Sequence, residues 1–354
     1  MIQKSNATVS VNLATLKQNL QTLKNHVRKD VRIMAVVKAD AYGHGAVKVA
    51  QALEPLVEAF AVNDIHEGIE LREQGIAKPI LVFEVPQQET VSQYRVHNLT
   101  ATVSATHHFE LLPNGTSYHL NFDTGMGRLG FAPEQAEHVA ALVNNNKELF
   151  CTGIYTHFAT ADNPDSSLVS KQYEQFQTIR SFFDDDLAAH IANTGGTAFY
   201  EMDQFNMVRL GIGLYGYPPG ETKIEGLEPV MRLDSKLVQI KRISADSTVS
   251  YGAKWTAPKE RNLGVLPVGY DDGLKRSLTG KASVKINGKT YNIVGTITMN
   301  YAMVDLGDDE YELGAPVEIL GPGNNAHEWA QKIDTIPYEI LTSINPRIPR
   351  EYIS

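Results

Sequence analysis

Lys38 closes the apolar run Ile33-Met34-Ala35-Val36-Val37-Lys38 and leads into Ala39-Asp40-Ala41-Tyr42-Gly43-His44-Gly45. The run reads as a buried strand and the glycine-bearing stretch as a tight loop. A lysine at such a strand end is partly desolvated, which disfavours the ammonium and frees a nucleophilic amine. Amines of this kind form Schiff bases with carbonyl substrates and with pyridoxal phosphate. For a lone lysine the commoner case is a side chain snorkelling at a strand tip.

Two further segments tilt the balance. Asn193-Thr194-Gly195-Gly196-Thr197 and Arg209-Leu210-Gly211-Ile212-Gly213-Leu214-Tyr215-Gly216 combine small residues with backbone N–H groups. Both suit a phosphate cradle. Either alone is more often just a turn. Paired with Lys38, they fit a cofactor that carries an aldehyde and a phosphate.

Such residues need a scaffold that brings them together. Leu13, Leu16, Leu20 and Leu23 recur at helical spacing and predict an amphipathic helix. After the Lys38 strand, short apolar runs follow at 59–62, 79–83, 100–104, 118–122, 152–156, 190–193 and 206–211. Stretches at 64–75, 133–144 and 166–183 between them suit helices. Eight strands alternating with helices predict a (β/α)8 barrel of the TIM type, in which phosphate is held after strands seven and eight. The two cradles fall at those places. An open doubly wound sheet is the alternative.

Beyond Tyr217-Pro218-Pro219-Gly220 the pattern changes. Strand-like runs at 237–243, 263–268, 282–286, 291–294, 302–306 and 316–320 are punctuated by Gly, Asn and Asp. Asn287-Gly288 is a two-residue hairpin signal. The expected division is a barrel over 1–224 and a smaller, mostly β domain over 225–354.

Composition narrows the class. The chain has 354 residues, 42% hydrophobic and 21% charged, which suits two domains of an ordinary globular protein. A net charge of -9 without a basic run speaks against nucleic acid as a partner. The polar first six residues carry no signal core, and no stretch is long enough to span a membrane. The single cysteine, Cys151, allows no internal disulfide and reads as core. A cytoplasmic protein is expected.

The segment Ala35–Gly45 resembles the pyridoxal-phosphate motif of the alanine racemases. Five further segments match in order: Asp123-Thr124-Gly125-Met126-Gly127-Arg128-Leu129-Gly130, Tyr155-Thr156-His157-Phe158-Ala159, the Arg209–Gly216 stretch, Val249-Ser250-Tyr251-Gly252-Ala253 and Pro267-Val268-Gly269-Tyr270. The resemblance covers nearly the whole chain. It implies pyridoxal 5'-phosphate as cofactor and racemisation of L- and D-alanine for bacterial cell-wall precursors. Lys38 would bear the cofactor and act as base on one face of the α-carbon. Tyr251, reaching in from the partner subunit of a homodimer, would be the opposite base. A phenol has a pKa of about 10, so it needs positive charge nearby to act near neutrality.

The resemblance also implies that Arg209 faces the pyridine nitrogen. A guanidinium does not readily release a proton, so the cofactor becomes a weaker electron sink and transamination is suppressed. His157 would hydrogen-bond Arg209. Arg128, with Met299 and Tyr270 also at the substrate, would orient the substrate carboxylate and Tyr251. Tyr42, Asn193, Thr194, Gly211 and Ile212 would hold the cofactor and its phosphate.

Four positions depart from the family pattern. Asn121 stands where a carbamylated lysine often supports Arg128, so chloride or another anion is expected beside that pair. Thr194 replaces the usual serine. Thr298-Met299-Asn300-Tyr301 replaces Cys-Met-Asp-Gln. Pro346 replaces a gate-forming tyrosine, which makes a broader racemase acting on serine the close rival. A non-catalytic cofactor carrier and an amino-acid decarboxylase are the more distant alternatives.

Overall fold

The computed structural model describes residues 6–201 and 205–354. The chain begins with strand β1 (Thr8–Asn12) and the helix Leu13–Lys24. Asn12 Oδ1 accepts the Thr15 amide at 3.0 Å, capping the helix. Leu16, Leu20 and Leu23 form its buried stripe.

Eight parallel strands follow: β2 (Arg32–Val36), β3 (Ala59–Val62), β4 (Ile80–Val82), β5 (Ala101–Val103), β6 (Ser117–Asn121), β7 (Phe150–Tyr155), β8 (Ala188–His190) and β9 (Met207–Leu210). They form two four-stranded sheets, ordered β4-β3-β2-β9 and β5-β6-β7-β8. One seam is joined by the parallel bridge between Leu81 and Thr100. At the other, the Arg209 amide donates to Ala192 O at 2.9 Å. The ring is thereby closed, as a (β/α)8 barrel requires. Gly211–Gly216 does carry a G-x-G-x-x-G spacing, but it opens only the short turn Ile212–Tyr215, not a dinucleotide-binding helix.

Strand limits differ from expectation at instructive places. The run at 190–193 leaves the sheet after His190, because Ile191, Ala192 and Asn193 lead out to the helix Thr194–Phe199. The run at 237–243 is broken. Leu237 pairs to Ala315 O while Val238 turns to Val265 O, so Met231–Lys236 and Gln239–Ile243 are separate strands. Asn287 and Gly288 both have positive φ, 50° and 78°, and join Ser283–Ile286 to Lys289–Val294 as the hairpin signal predicts.

Two compact units result. One holds residues 17–41 and 45–227, and contains the barrel. The other holds the described residues up to 16, with 42–44 and 228–354. In the latter, a nine-stranded sheet places β1 between Met231–Lys236, antiparallel, and Arg350–Ile353, parallel. Helices Ala326–Lys332 and Pro337–Thr342 accompany it, and neither was legible from composition. No helix among the described residues is long and apolar enough to cross a membrane. Cys151 is half-buried, and burial pushes its thiol up to about 12, out of reactive range.

Candidate active site

Lys38 does not end a strand but opens a turn. β2 stops at Val36, and Ala39, Asp40, Ala41 and Tyr42 all take φ between 52° and 54°, followed by Gly43 at 81°. Left-handed backbone costs an L-residue about 1–2 kcal/mol, and such strain persists only where surrounding bonds over-determine it. Those bonds are present. Ala41 N donates to Val37 O and Gly45 N to Asp40 O, both at 2.9 Å, while Ala46 N donates to Asp40 Oδ1 at 2.7 Å. Ala39 N donates to Glu67 Oε1 at 2.5 Å.

The Lys38 ammonium is half-buried and lies 5.9 Å from the Phe83 ring centroid. Burial lowers its pKa first, then the charges of Arg128 and Arg209, against the raising charge of Glu67. It lines a cavity of about 350 Å3 with Asn121, Arg128, Tyr155 and His157.

Arg209, on β9, is 2% exposed. Its Nη1 meets His190 Nδ1 at 2.7 Å and His190 O at 2.8 Å; its Nη2 donates to Thr156 O at 2.8 Å and meets His157 Nδ1 at 3.2 Å. Its guanidinium sits 5.4 Å from the Tyr155 ring, which stacks on His190 at 4.9 Å. Among the described residues no carboxylate pairs with it. Burial lowers Arg209 to about 10, so it stays cationic at neutral pH. Burial, then the charges of Arg209, Arg128 and Lys38, holds His157 well below the usual imidazole range.

The loop after β6 is built on Asp123. Its Oδ1 accepts the amides of Gly125, Met126 and Gly127, and its Oδ2 accepts that of Arg128 at 3.2 Å. Burial alone would raise the Asp123 pKa, but these four amides outweigh it and hold it below its ordinary value. Asn121 Nδ2 donates to Leu129 O at 3.0 Å, tying the far side of the loop. Gln172 bridges to the next loop, donating to His157 O at 2.9 Å and accepting from Ala159 N at 2.9 Å. Arg128 itself is exposed and, among the described residues, has no carboxylate partner.

The cradle residues meet at the ends of β8 and β9. Asn193 Oδ1 caps the helix Thr194–Phe199 through Gly196 N at 3.0 Å, and Thr194 Oγ1 accepts Gly211 N at 3.1 Å. A Cβ on Gly195 would lie 2.1 Å from Ala161 O, and one on Gly213 2.7 Å from Thr194 Cγ2. First-turn amides have no intrahelical acceptor, and the buried Thr197 hydroxyl has no hydrogen-bond partner among the described residues. A hydroxyl and first-turn amides at a helix start suit a phosphate, and the desolvated Lys38 amine suits an aldehyde, so these residues fit pyridoxal phosphate.

The remaining expected site residues belong to the other unit. Tyr42 packs its ring 5.8 Å from Tyr338. Tyr251 is 72% exposed, with Tyr270, Met299 and Tyr301 also exposed. Tyr251 O accepts Thr296 Oγ1 at 2.7 Å, and the preceding Ser250 has φ 65°. Pro346 is exposed.

Sequence reasoning passed over Glu67, His119, Gln172 and His190. A partial signal was there for two of them: His119 and His190 are ionisable residues on short strands that pack into the barrel. Gln172 is a fully buried amide on a helix of mixed pattern and gives no such sign.

The family described as "Alanine racemase, N-terminal domain" matches residues 11–219, and "Alanine racemase, C-terminal domain" matches residues 230–352. The alanine racemase of Streptococcus mutans is 37% identical, covering 98% of this chain and 96% of its own. Alanine racemase 2 of Bacillus subtilis is 36% identical, over 98% and 94%. The solved alanine racemase of Clostridium difficile superposes with a TM-score of 0.93 at 33% identity, covering 99% of this chain and 96% of that one.

Proposed function

We propose that this chain, which belongs to the alanine racemase family, interconverts L-alanine and D-alanine with pyridoxal 5'-phosphate as cofactor. D-Alanine made this way would supply peptidoglycan synthesis. The observation that carries the reading is Lys38: a desolvated amine with no ion-pair partner among the described residues, sharing a cavity with Arg128 and His157. When bound, the cofactor withdraws electrons from the amino-acid α-carbon and loosens its proton.

Lys38, with Asn193, would hold the cofactor; Tyr42, Thr194, Gly211 and Ile212 would hold its phosphate, and Arg209 would face its ring nitrogen. Lys38 Nζ takes or returns a proton on one face of the α-carbon. The phenol oxygen of Tyr251, supplied by a second copy of the chain, does the same on the other. Arg209 keeps its own protons, and the histidines around it only accept from it. Arg128, with Met299 and Tyr270, orients the substrate. Support for a homodimer comes from the exposed Tyr251, Tyr270, Met299 and Tyr301 on one unit.

A chloride or similar anion would sit beside Arg128; supporting this, Asn121 is neutral and spends its amide on Leu129 O. The enzyme would work in the cytoplasm.

Pro346 favours a second reading, a broader racemase that also accepts serine. The test is conversion of L-alanine to D-alanine by the cofactor-loaded protein, with L-serine alongside. Fast alanine and slow serine support the first reading; comparable rates support the second. Conversion of neither overturns both and leaves a decarboxylase or carrier.

A further inference from the structure

We propose that Glu67 is a positioning residue for Lys38: its carboxylate ties the left-handed turn after the lysine to the start of the helix Ile65–Glu73. This rests on the reading of Lys38 as the cofactor-bearing amine.

In an ordinary capping box the carboxylate at the third helical position serves its own helix, reaching back to the N-cap amide. Asp64 and Glu67 make that box. Asp64 Oδ1 accepts His66 N at 2.9 Å and Glu67 N at 3.2 Å, and Glu67 Oε2 accepts Asp64 N at 3.4 Å. Glu67 does more. Its Oε2 also takes Asn63 N at 2.6 Å, in the loop after β3, and its Oε1 takes Ala39 N at 2.5 Å, in the turn after β2. One carboxylate thus clamps two neighbouring barrel loops.

The clamp falls where it matters. Ala39 is the first of the four non-glycine residues with positive φ and directly follows Lys38. The bonds from Ala41, Gly45 and Ala46 hold the turn at Val37 and Asp40; the one from Ala39 goes to Glu67. Without Glu67, the peptide that sets the lysine's departure from the barrel loses its acceptor. Glu67 also contributes the one raising charge on Lys38, opposed by burial, Arg128 and Arg209. A glutamine has the right length but puts an NH2 where one of the two acceptors stood, and it removes the charge. An aspartate keeps the charge but is one methylene short of bridging both loops.

The experiment titrates the cofactor-free protein with pyridoxal phosphate and follows the visible absorbance of the lysine–aldehyde Schiff base. Asp64→Ala serves as control, since it breaks the box and leaves the Ala39 bond. Asp64→Ala is expected to melt lower yet bind cofactor like the wild type. Glu67→Gln is expected to bind roughly tenfold more weakly, the scale of one lost bond to a charged group. The pH midpoint of its Schiff-base formation moves down, because the raising charge is gone. Glu67→Asp is expected to lose affinity while keeping the wild-type pH midpoint. Wild-type affinity in Glu67→Gln or Glu67→Asp overturns the positioning role. Absence of the band in the wild type overturns instead the reading of Lys38 on which it rests.

Discussion

Arg209 Nη1 stands 2.7 Å from His190 Nδ1, and that contact fixes the protonation of a chain of histidines. A guanidinium only donates, so His190 Nδ1 carries a lone pair and its proton sits on Nε2. That Nε2 lies 2.9 Å from His119 Nδ1, which must then accept. His157 Nδ1 likewise accepts from Arg209 Nη2. All three imidazoles are neutral, each tautomer dictated by the arginine at the head of the chain.

Acid should expose the cost of that arrangement. Burial, with the charges of Arg32 and Arg209, lowers His119 to about 3 and holds His190 well below its ordinary value. The unfolded chain protonates these imidazoles at about 6.5. Between those values the unfolded state binds more protons, so stability falls as pH drops below about 6.5. The urea midpoint of wild type is expected to fall more steeply from pH 7 to 4 than that of His119→Phe. Parallel curves would reject the assignment.

Two glycines separate close packing from backbone freedom. Gly195→Ala drives a Cβ to 2.1 Å from Ala161 O; overpacking against backbone is expected to cost about 3 kcal/mol or more and to weaken cofactor retention. Gly127→Ala meets nothing within 4 Å but sits at φ 70°. It is expected to cost about 1–2 kcal/mol from conformation alone and to leave cofactor binding intact. Denaturant midpoints and cofactor dialysis check both.

Asp123→Ala strands four amides at once. The loop that carries Arg128 then loses its organiser, and the KM for alanine is expected to rise roughly tenfold, the equivalent of about one bond to a charged acceptor. A folded variant with unchanged KM would detach Arg128 from substrate orientation.

Anion dependence tests the Asn121 substitution. Racemisation in gluconate buffer is expected to run several-fold slower than in chloride, with recovery on adding chloride. An Asn121→Glu variant should lose the dependence because the new carboxylate supplies the charge. Indifference of the wild type to chloride would remove the anion from the site.

Tyr251→Phe removes only the phenol oxygen. Racemisation is expected to fall at least a thousandfold, within the range of a lost general base, while cofactor absorbance is retained. Near-normal activity would assign the second proton to another group.

Much of this was legible because it is local. Eight apolar runs, two glycine-rich turns and an Asn-Gly hairpin are written in adjacent residues, and Lys38 and Arg209 sit in short recognisable segments. What was not legible depends on approach through space. Glu67 reads as the acid of an ordinary capping box, and nothing nearby shows its second oxygen reaching Ala39. The left-handed turn is equally silent, since Ala-Asp-Ala-Tyr has no propensity for positive φ and only the bonds around it impose that shape. His119 belongs with His190 only once β6 and β8 flank β7 in one sheet.

β1 has a bearing on how the polypeptide is made. The strand at Thr8–Asn12 finds both its partners far along the chain, at Met231–Lys236 and Arg350–Ile353. On the ribosome, this segment must wait, unpaired, until Met231–Lys236 emerges on one edge and Arg350–Ile353 on the other. Long-range pairing of this kind is slow to nucleate, and an unpaired strand edge invites association with other nascent chains. A fragment beginning after Asn12 would leave two edges open in the sheet.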